Sequence, residues 1–233
     1  MTLKRAVLAC LATFAAAPAA HATVLWSQSS LPGTGTCPNG SITWASDPQQ
    51  GQVVRVQVKE TGSGNSERCE FVMPQGRVSN GQTIYVGWKS KVQTPSSGSW
   101  NGIFQAKCHG SHVADQPLVF SVKSGRLTLE NHEDVGGSET SREVWSRPLP
   151  TGWFSIVMRI RYSESRTTGS VQLWFNGALQ TLSNGKTTHN GQTWDGSDNN
   201  MHWGIYRRSS INGTEIHHVL RPRVATTLAE AMP

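Results

Sequence analysis

Apolar and polar residues alternate along most of the chain with a period of two. Val54, Val56 and Val58 alternate with Arg55, Gln57 and Lys59; Ile84, Val86 and Trp88 alternate with Tyr85, Gly87 and Lys89. Phe154, Ile156, Met158 and Ile160 alternate with Ser155, Val157, Arg159 and Arg161, and Val171, Leu173 and Phe175 with Gln172, Trp174 and Asn176. This spacing sends one set of side chains into a core and the other outward, as in a half-buried strand. The dipeptides Asn80-Gly81, Ser124-Gly125, Asn176-Gly177 and Asn212-Gly213 punctuate the runs where hairpin turns need left-handed backbone. The pattern predicts about a dozen strands without crossover helices. Outside the N-terminus, only Thr226 to Ala231 reads as helical. The expected fold is all-β: a two-sheet antiparallel β-jelly roll of the concanavalin-like sandwich type. Two long loops, Asn131 to Ser141 and Ser183 to Asn200, are expected to rim it.

The first residues break the pattern. Lys4 and Arg5 precede an apolar run, Ala6 to Ala17, and Ala20-His21-Ala22 has small residues where a signal peptidase reads. Residues 1–22 are therefore expected to be a signal peptide and 23–233 a single soluble domain, secreted or periplasmic and monomeric. Of 233 residues only 15% are charged, with 23 Gly and 9 Trp, which excludes a coiled coil, a collagen-like chain and a charge-driven disordered chain. No other apolar run is long enough for a membrane span. The net charge of +6 includes Lys4 and Arg5 of the leader, a modest excess that does not point to nucleic acid. Cys37, Cys69 and Cys108 lack C-x-x-C spacing. Export permits a disulfide. Cys37, beside Pro38-Asn39-Gly40, is placed to reach over a sheet edge, so a Cys37–Cys69 bridge is expected, with Cys108 free and buried.

Three predicted strands carry chemistry on one side. In 103–109, Gln105, Lys107 and His109 share a face opposite Phe104, Ala106 and Cys108. In 67–71, Arg68 and Glu70 lie opposite Cys69 and Phe71, and in 201–208 His202, Gly204, Tyr206 and Arg208 share a face. Arg159 and Arg161 add charge on another alternating strand. Such a cationic face with histidine and tyrosine suits an acidic polymer and proton transfer.

These strands resemble those of jelly-roll polysaccharide lyases: alginate lyases, glucuronan lyases and heparin lyase I-like proteins. Arg68-Cys69-Glu70-Phe71-Val72 is similar to their Arg-x-Glu-x-Arg strand, with Val72 for the second Arg. Gln105-Ala106-Lys107 is similar to their Gln-x-His strand, with Lys107 for His and a His at 109. His202-Trp203-Gly204-Ile205-Tyr206 resembles their late Lys-x-Gly-x-Tyr strand, with His202 for Lys. Leu149-Pro150-Thr151-Gly152-Trp153 and the stretch from Gly169 to Gly177 also look like the heparin lyase I-like branch.

The resemblance implies a secreted lyase that cleaves a uronic-acid polysaccharide by β-elimination, without a cofactor. Arg68 and Gln105 would neutralise the substrate carboxylate, His109 would take the C5 proton, and Tyr206 would protonate the leaving oxygen or serve as base itself. Lys107, Glu70, His202, Arg208, Arg159, Arg161 and Trp174 are the candidate substrate-binding residues. The main alternative is a non-catalytic, lectin-like sandwich in which Trp100, Trp145, Trp174 and Trp194 stack on sugars. A glycoside hydrolase ranks lower, because it needs two facing acids and Glu130 and Glu133 lack the spacing of a strand pair. His112, His132 and His189 read as ordinary loop histidines. His217-His218 should face opposite ways rather than form a metal site. Asp195-Gly196-Ser197-Asp198 is a possible structural calcium loop but reads better as a polar turn.

Overall fold

The computed structural model describes residues 22–30, 36–60, 66–95, 98–109 and 113–233. The leader expected over 1–22 lies, apart from Ala22, outside the described residues, as does His112. The strands are β1 (Val24–Ser27), β2 (Gly40–Asp47), β3 (Gly51–Val58), β4 (Glu67–Val72), β5 (Thr83–Gln93), β6 (Asn101–Cys108), β7 (Leu118–Lys123) and β8 (Arg126–Asp134). They continue with β9 (Glu139–Pro148), β10 (Phe154–Arg161), β11 (Ser170–Phe175), β12 (Ala178–Leu179), β13 (His189–Asn190), β14 (Asn199–Arg207) and β15 (Glu215–Ala225), followed by the short helix α1 (Leu228–Ala231).

Two antiparallel sheets pack face to face. One runs β12-β11-β10-β5-β15-β3-β2, with β1 added to β15 and β13 to β11; the other runs β4-β14-β6-β7-β8-β9. The alternating apolar residues meet between them, as two amphipathic sheets require. Trp88 of β5 stacks on Phe104 of β6 at 4.6 Å and meets Phe120 and Trp203 edge-on at 5.8 and 6.3 Å, so one indole fastens the sheets together. Ser124 and Gly125 have φ of 50° and 70°, the left-handed pair of a two-residue hairpin turn between β7 and β8. Asn176 and Gly177, at 49° and 79°, do the same between β11 and β12. The tail forms α1 on the outer face of the larger sheet. A Cβ at Gly87 would fall 1.9 Å from the Ala231 carbonyl oxygen, so this close approach needs glycine there.

The Cys37–Cys69 disulfide is present, with Cα atoms 3.8 Å apart, and ties the segment before β2 to β4. Cys108 is free and buried, its thiol pushed up to about 11 by burial. Asn131 to Ser141 is not a long loop. β8 runs through Asp134 and β9 begins at Glu139, joined by a short turn with Gly136 and Gly137 at positive φ. Its polar alternation disguised a strand whose outer face is polar and whose inner positions, Asn131 and Glu133, are hydrogen-bonded rather than apolar. The segment 183–200 does lack long strands, carrying only β13 and the start of β14.

The interior also holds charge. Arg207 is fully buried between Glu67 of β4 and Glu215 of β15. Alternation turns it to the core side of β14, and two carboxylates with Asn101 make that tolerable. A second polar chain crosses the sandwich: Trp88 Nε1 donates to Ser90 Oγ at 2.8 Å, Ser90 bonds His217 Nε2 at 2.8 Å, and His217 Nδ1 donates to the Gly204 carbonyl at 2.9 Å. Burial pushes His217 down to about 4, so it is neutral in this chain.

Candidate active site

The outer face of the smaller sheet gathers the polar rows of β4, β14 and β6. In register, Tyr206 lies opposite Arg68, Gly204 opposite Glu70, His202 opposite Gln105, and Asn200 opposite Lys107. Inward neighbours Cys69, Phe71, Phe104, Ala106, Trp203 and Ile205 fix this orientation, because each is buried in the core. Gly204 has φ of 151° where β14 departs from regular pairing with β6, and a Cβ there would stand 2.3 Å from the Cys69 carbonyl oxygen.

Glu70 is the buried anchor of the cluster. It accepts hydrogen bonds from Arg68 Nε and from Gln105 Nε2, the latter at 2.6 Å, and lies 3.6 Å from His202 Nδ1. Asn200 Oδ1 accepts from Nε2 of both His202 and His109, each at 2.9 Å. An amide oxygen only accepts, so both imidazoles carry the proton on Nε2. His202 Nδ1 then accepts from Arg68 Nη2 at 3.3 Å. Burial lowers the pKa of His202, Arg68 and Lys107 lower it further, and Glu70 opposes them; the ring is neutral. Gln105 Oε1 is buried without a partner among the described residues.

Arg68 also faces Tyr206, with its guanidinium carbon 4.9 Å from the ring centre. Trp100 meets the other side of that ring edge-on at 5.3 Å. The indole lies over Gly102, where a Cβ would come within 3.0 Å of it. A groove of about 500 Å³ opens here, lined by Ser66, Trp100, Asp115, Gln116, His132, Glu139, Tyr206 and Arg208.

Its far wall contains His132, expected to be an ordinary loop histidine, and Glu130, expected to lack strand spacing; both lie on β8. Glu130 accepts from Trp100 Nε1 at 3.1 Å, and His132 Nδ1 donates to Glu139 at 2.7 Å. Burial works against a charge on His132, but the hydrogen bonds of Glu130 and Glu139 outweigh it and raise its pKa. Glu130 is held below its ordinary value by His132 and Trp100 despite its own burial. His132 and Glu130 share the outward face of β8, two residues apart; recognising β8 as a strand would have revealed them. Glu70 is bonded to Arg68 and Gln105, and Glu130 to Trp100.

Three predicted binding residues are elsewhere. Arg159, Arg161 and Trp174 lie on β10 and β11, on the outer face of the larger sheet, with the core between them and the groove. Alternation told which way they point relative to their own strand but not which sheet that strand joins. Lys107 is on the expected face, ion-paired with Asp115, and Arg208 is exposed at the groove. His109 is half-buried beyond His202, its ring 6.2 Å from that of His202. His202 and Tyr206 are four residues apart on β14, roughly 13 Å of strand. Of the four tryptophans considered for stacking on sugars, Trp145 and Trp194 are in the core and Trp100 is at the groove. His217 and His218 do face opposite ways. Asp195 Oδ2 accepts from the Ala114 N–H at 2.8 Å, and among the described residues no group of three or more His, Cys, Asp or Glu could hold a metal ion.

A family model described as polysaccharide lyase matches residues 36–219. No curated protein matches significantly. Among solved structures, an endo-β-1,4-glucuronan lyase from the fungus Trichoderma reesei is similar with a TM-score of 0.67 at 17% identity, over 90% of this chain and 98% of that one. A family 7 alginate lyase in complex with its GGMG substrate has a TM-score of 0.51 at 12% identity, over 79% of this chain and 82% of that one. The binding domain of botulinum neurotoxin serotype C1 has a TM-score of 0.53 at 12% identity, over 81% of this chain and 43% of that one. At such identities these three likenesses bear on the fold alone.

Proposed function

The chain belongs to the polysaccharide lyase family, and we propose that it cuts a uronic-acid polysaccharide by β-elimination in the groove beside Tyr206. The observation that carries this reading is Tyr206 itself. It lines the groove, and the fixed charge of Arg68 stands against its ring.

The C5 hydrogen of a uronate is weakly acidic because the carbanion left behind spreads onto the adjacent carboxylate. Arg68 is held by Glu70 through Nε and by His202 through Nη2, and its remaining N–H groups are free to bind that carboxylate. Gln105, buried and bonded to Glu70, holds the carboxyl that fixes Arg68. In this reading the C5 proton goes to the Tyr206 oxygen, which must be the phenolate when it accepts it. The C4–O bond breaks as the C4=C5 double bond forms, and the proton now on Tyr206 passes to the departing oxygen. The products are a 4,5-unsaturated uronate and a new chain end. One group suffices for both transfers when proton and leaving oxygen are on the same face.

We assign proton transfer to Tyr206 rather than His109, because His109 packs beside His202, four residues along β14 from Tyr206. His109 and His202 together orient Asn200, and His202 steadies Arg68. Trp100 offers a stacking face for a neighbouring sugar. Residues 1–22 are read as an export signal, a reading with which the Cys37–Cys69 bridge is compatible. Among the described residues no helix is long and apolar enough to cross a membrane.

The test is a panel of glucuronan, alginate, hyaluronan and heparin, followed by the ultraviolet absorbance of the conjugated double bond. Absorbance growing on at least one polymer is expected. New reducing ends without that absorbance, or binding without any cleavage, would overturn the elimination reading.

A further inference from the structure

The outer face of the larger sheet, on the opposite side of the sandwich from the groove, carries a row of cations. Arg55 of β3, His218 of β15 and Lys91 of β5 are direct cross-strand neighbours: His218 pairs in register with Arg55 on one side and with Lys91 on the other. All three point outward, because the residues flanking them in sequence are buried: Val54 and Val56, His217 and Val219, Ser90 and Val92. Lys89 stands two residues from Lys91 on the same face, and Trp153 packs against His218 at 6.3 Å between ring centres.

Like charges directly opposite across strands are destabilising. Natural sheets usually interleave acids on such a face. Here the acid beside the row is Asp47, and it is already occupied. Its Oδ1 accepts from the backbone N–H of Gln49 and of Gln50, and its Oδ2 pairs with Lys91 at 3.1 Å. Lys89 donates to the side-chain oxygen of Gln50, at 3.2 Å. Among the described residues no acid pairs with Arg55. Burial, with Lys91 and Arg55 as its neighbours, lowers the pKa of His218, as crowding of positive charge requires.

We propose that Arg55, His218, Lys91 and Lys89, with Trp153 at their edge, form a second binding site for an anionic polysaccharide chain, separate from the catalytic groove. The row spans two strand spacings, about 10 Å, with its side chains half-buried along a sheet face. That geometry fits an extended polymer with carboxylates at regular intervals better than a small anion that must be enclosed. A chain held there is presented on the side away from Tyr206, so the site raises the local concentration of polymer rather than taking part in cleavage. The inference rests on the reading of the substrate as a uronic-acid polymer.

The test uses full-length mature protein carrying Tyr206→Phe, so that polymer is not consumed, electrophoresed through native gels containing alginate or glucuronan. Retardation is expected with at least one of them and not with neutral dextran. In the double variant Arg55→Gln/Lys89→Gln, which leaves the Lys91–Asp47 pair intact, the apparent affinity should fall by about tenfold. Arg55→Lys/Lys89→Arg should retain it, which separates lost charge from lost fold. With Tyr206 restored, the double glutamine variant should raise KM on long polymer and leave kcat/KM on a short oligosaccharide unchanged. Unchanged retardation in the glutamine variant, an equal loss on short oligosaccharide, or equal retardation by DNA would overturn the proposal. Retardation that depends on Arg55 and Lys89, with no double bond formed on any uronic polymer by the unsubstituted protein, would support this site and count against the cleavage reading instead.

Discussion

The guanidinium carbon of Arg68 stands 4.9 Å from the centre of the Tyr206 ring, across adjacent strands of the smaller sheet. The same guanidinium is fixed from below by Glu70 and from the side by His202. The tyrosine therefore meets a positive charge whose position is set by buried groups and not by solvent.

Tyr206→Phe removes one oxygen and keeps the ring between Arg68 and Trp100. Turnover should fall by about 10²–10⁴ with little change in fold or in polymer affinity, the usual loss for an acid–base group. Steady-state rates on the best polymer, with melting temperature as control, check this. Activity within about threefold of the unsubstituted protein, a difference of ~0.65 kcal/mol, would exclude Tyr206 from proton transfer.

Gln105 and Glu70 are joined by a 2.6 Å hydrogen bond and should act as a unit. Gln105→Ala is expected to cost about 10²–10³ in kcat, and Glu70→Gln a comparable amount by freeing Arg68. The double variant should then be far less impaired than the product of the two losses. Fully multiplicative losses in kcat would show that the two work independently.

Trp100 lies across Gly102 with its Nε1 bonded to Glu130. If it stacks on a sugar, Trp100→Ala should raise KM by roughly threefold to tenfold, about 1 kcal/mol, and Trp100→Phe by less. An unchanged KM in Trp100→Ala would remove the tryptophan from the substrate path.

Glu215 and His217, two residues apart on β15, are shifted in opposite directions. Burial pushes Glu215 up to about 7 and His217 down to about 4. The folded chain thus holds a proton on Glu215 that the unfolded chain releases, so this contribution to stability is lost as pH rises from about 4.5 to 7. For His217 the unfolded chain takes up a proton that the folded chain refuses, so its contribution is lost as pH falls from about 6.5 to 4. Each is worth ~3 kcal/mol at most, and in the native chain they oppose one another. Chemical denaturation across this range should show Glu215→Gln losing stability on acidification and His217→Gln gaining it. Parallel pH profiles for the two variants would contradict these assignments.

The Cys37–Cys69 bridge closes a loop with a sequence separation of 32. Its loss in a Cys37→Ser/Cys69→Ser variant should cost about 3–4 kcal/mol through the entropy of the unfolded chain, read as a lower urea midpoint. A midpoint unchanged by the double substitution would mean that β4 is held without it.

The sequence by itself determined most of the strands, their inward and outward faces, the hairpin turns and the outward rows that carry Arg68, Gln105, His202 and Tyr206, because each is a local property: a period of two, a pair of left-handed residues, or a buried neighbour in the chain. The disulfide was also within reach, since few cysteines were available to pair. Tertiary structure alone decided which sheet each strand joined. Arg159, Arg161 and Trp174 alternate as cleanly as the site residues, yet β10 and β11 belong to the sheet that faces away from the groove. It decided that His132 and Glu130 reach the groove wall, that Asn200 bridges two histidines, and that His109 ends up remote from Tyr206. It also lined up Arg55, His218 and Lys91 from three strands far apart in the chain. Alternation fixes a side chain's direction relative to its own backbone, whereas proximity between strands is set by pairing order and register, and these come from the packing of the whole sandwich.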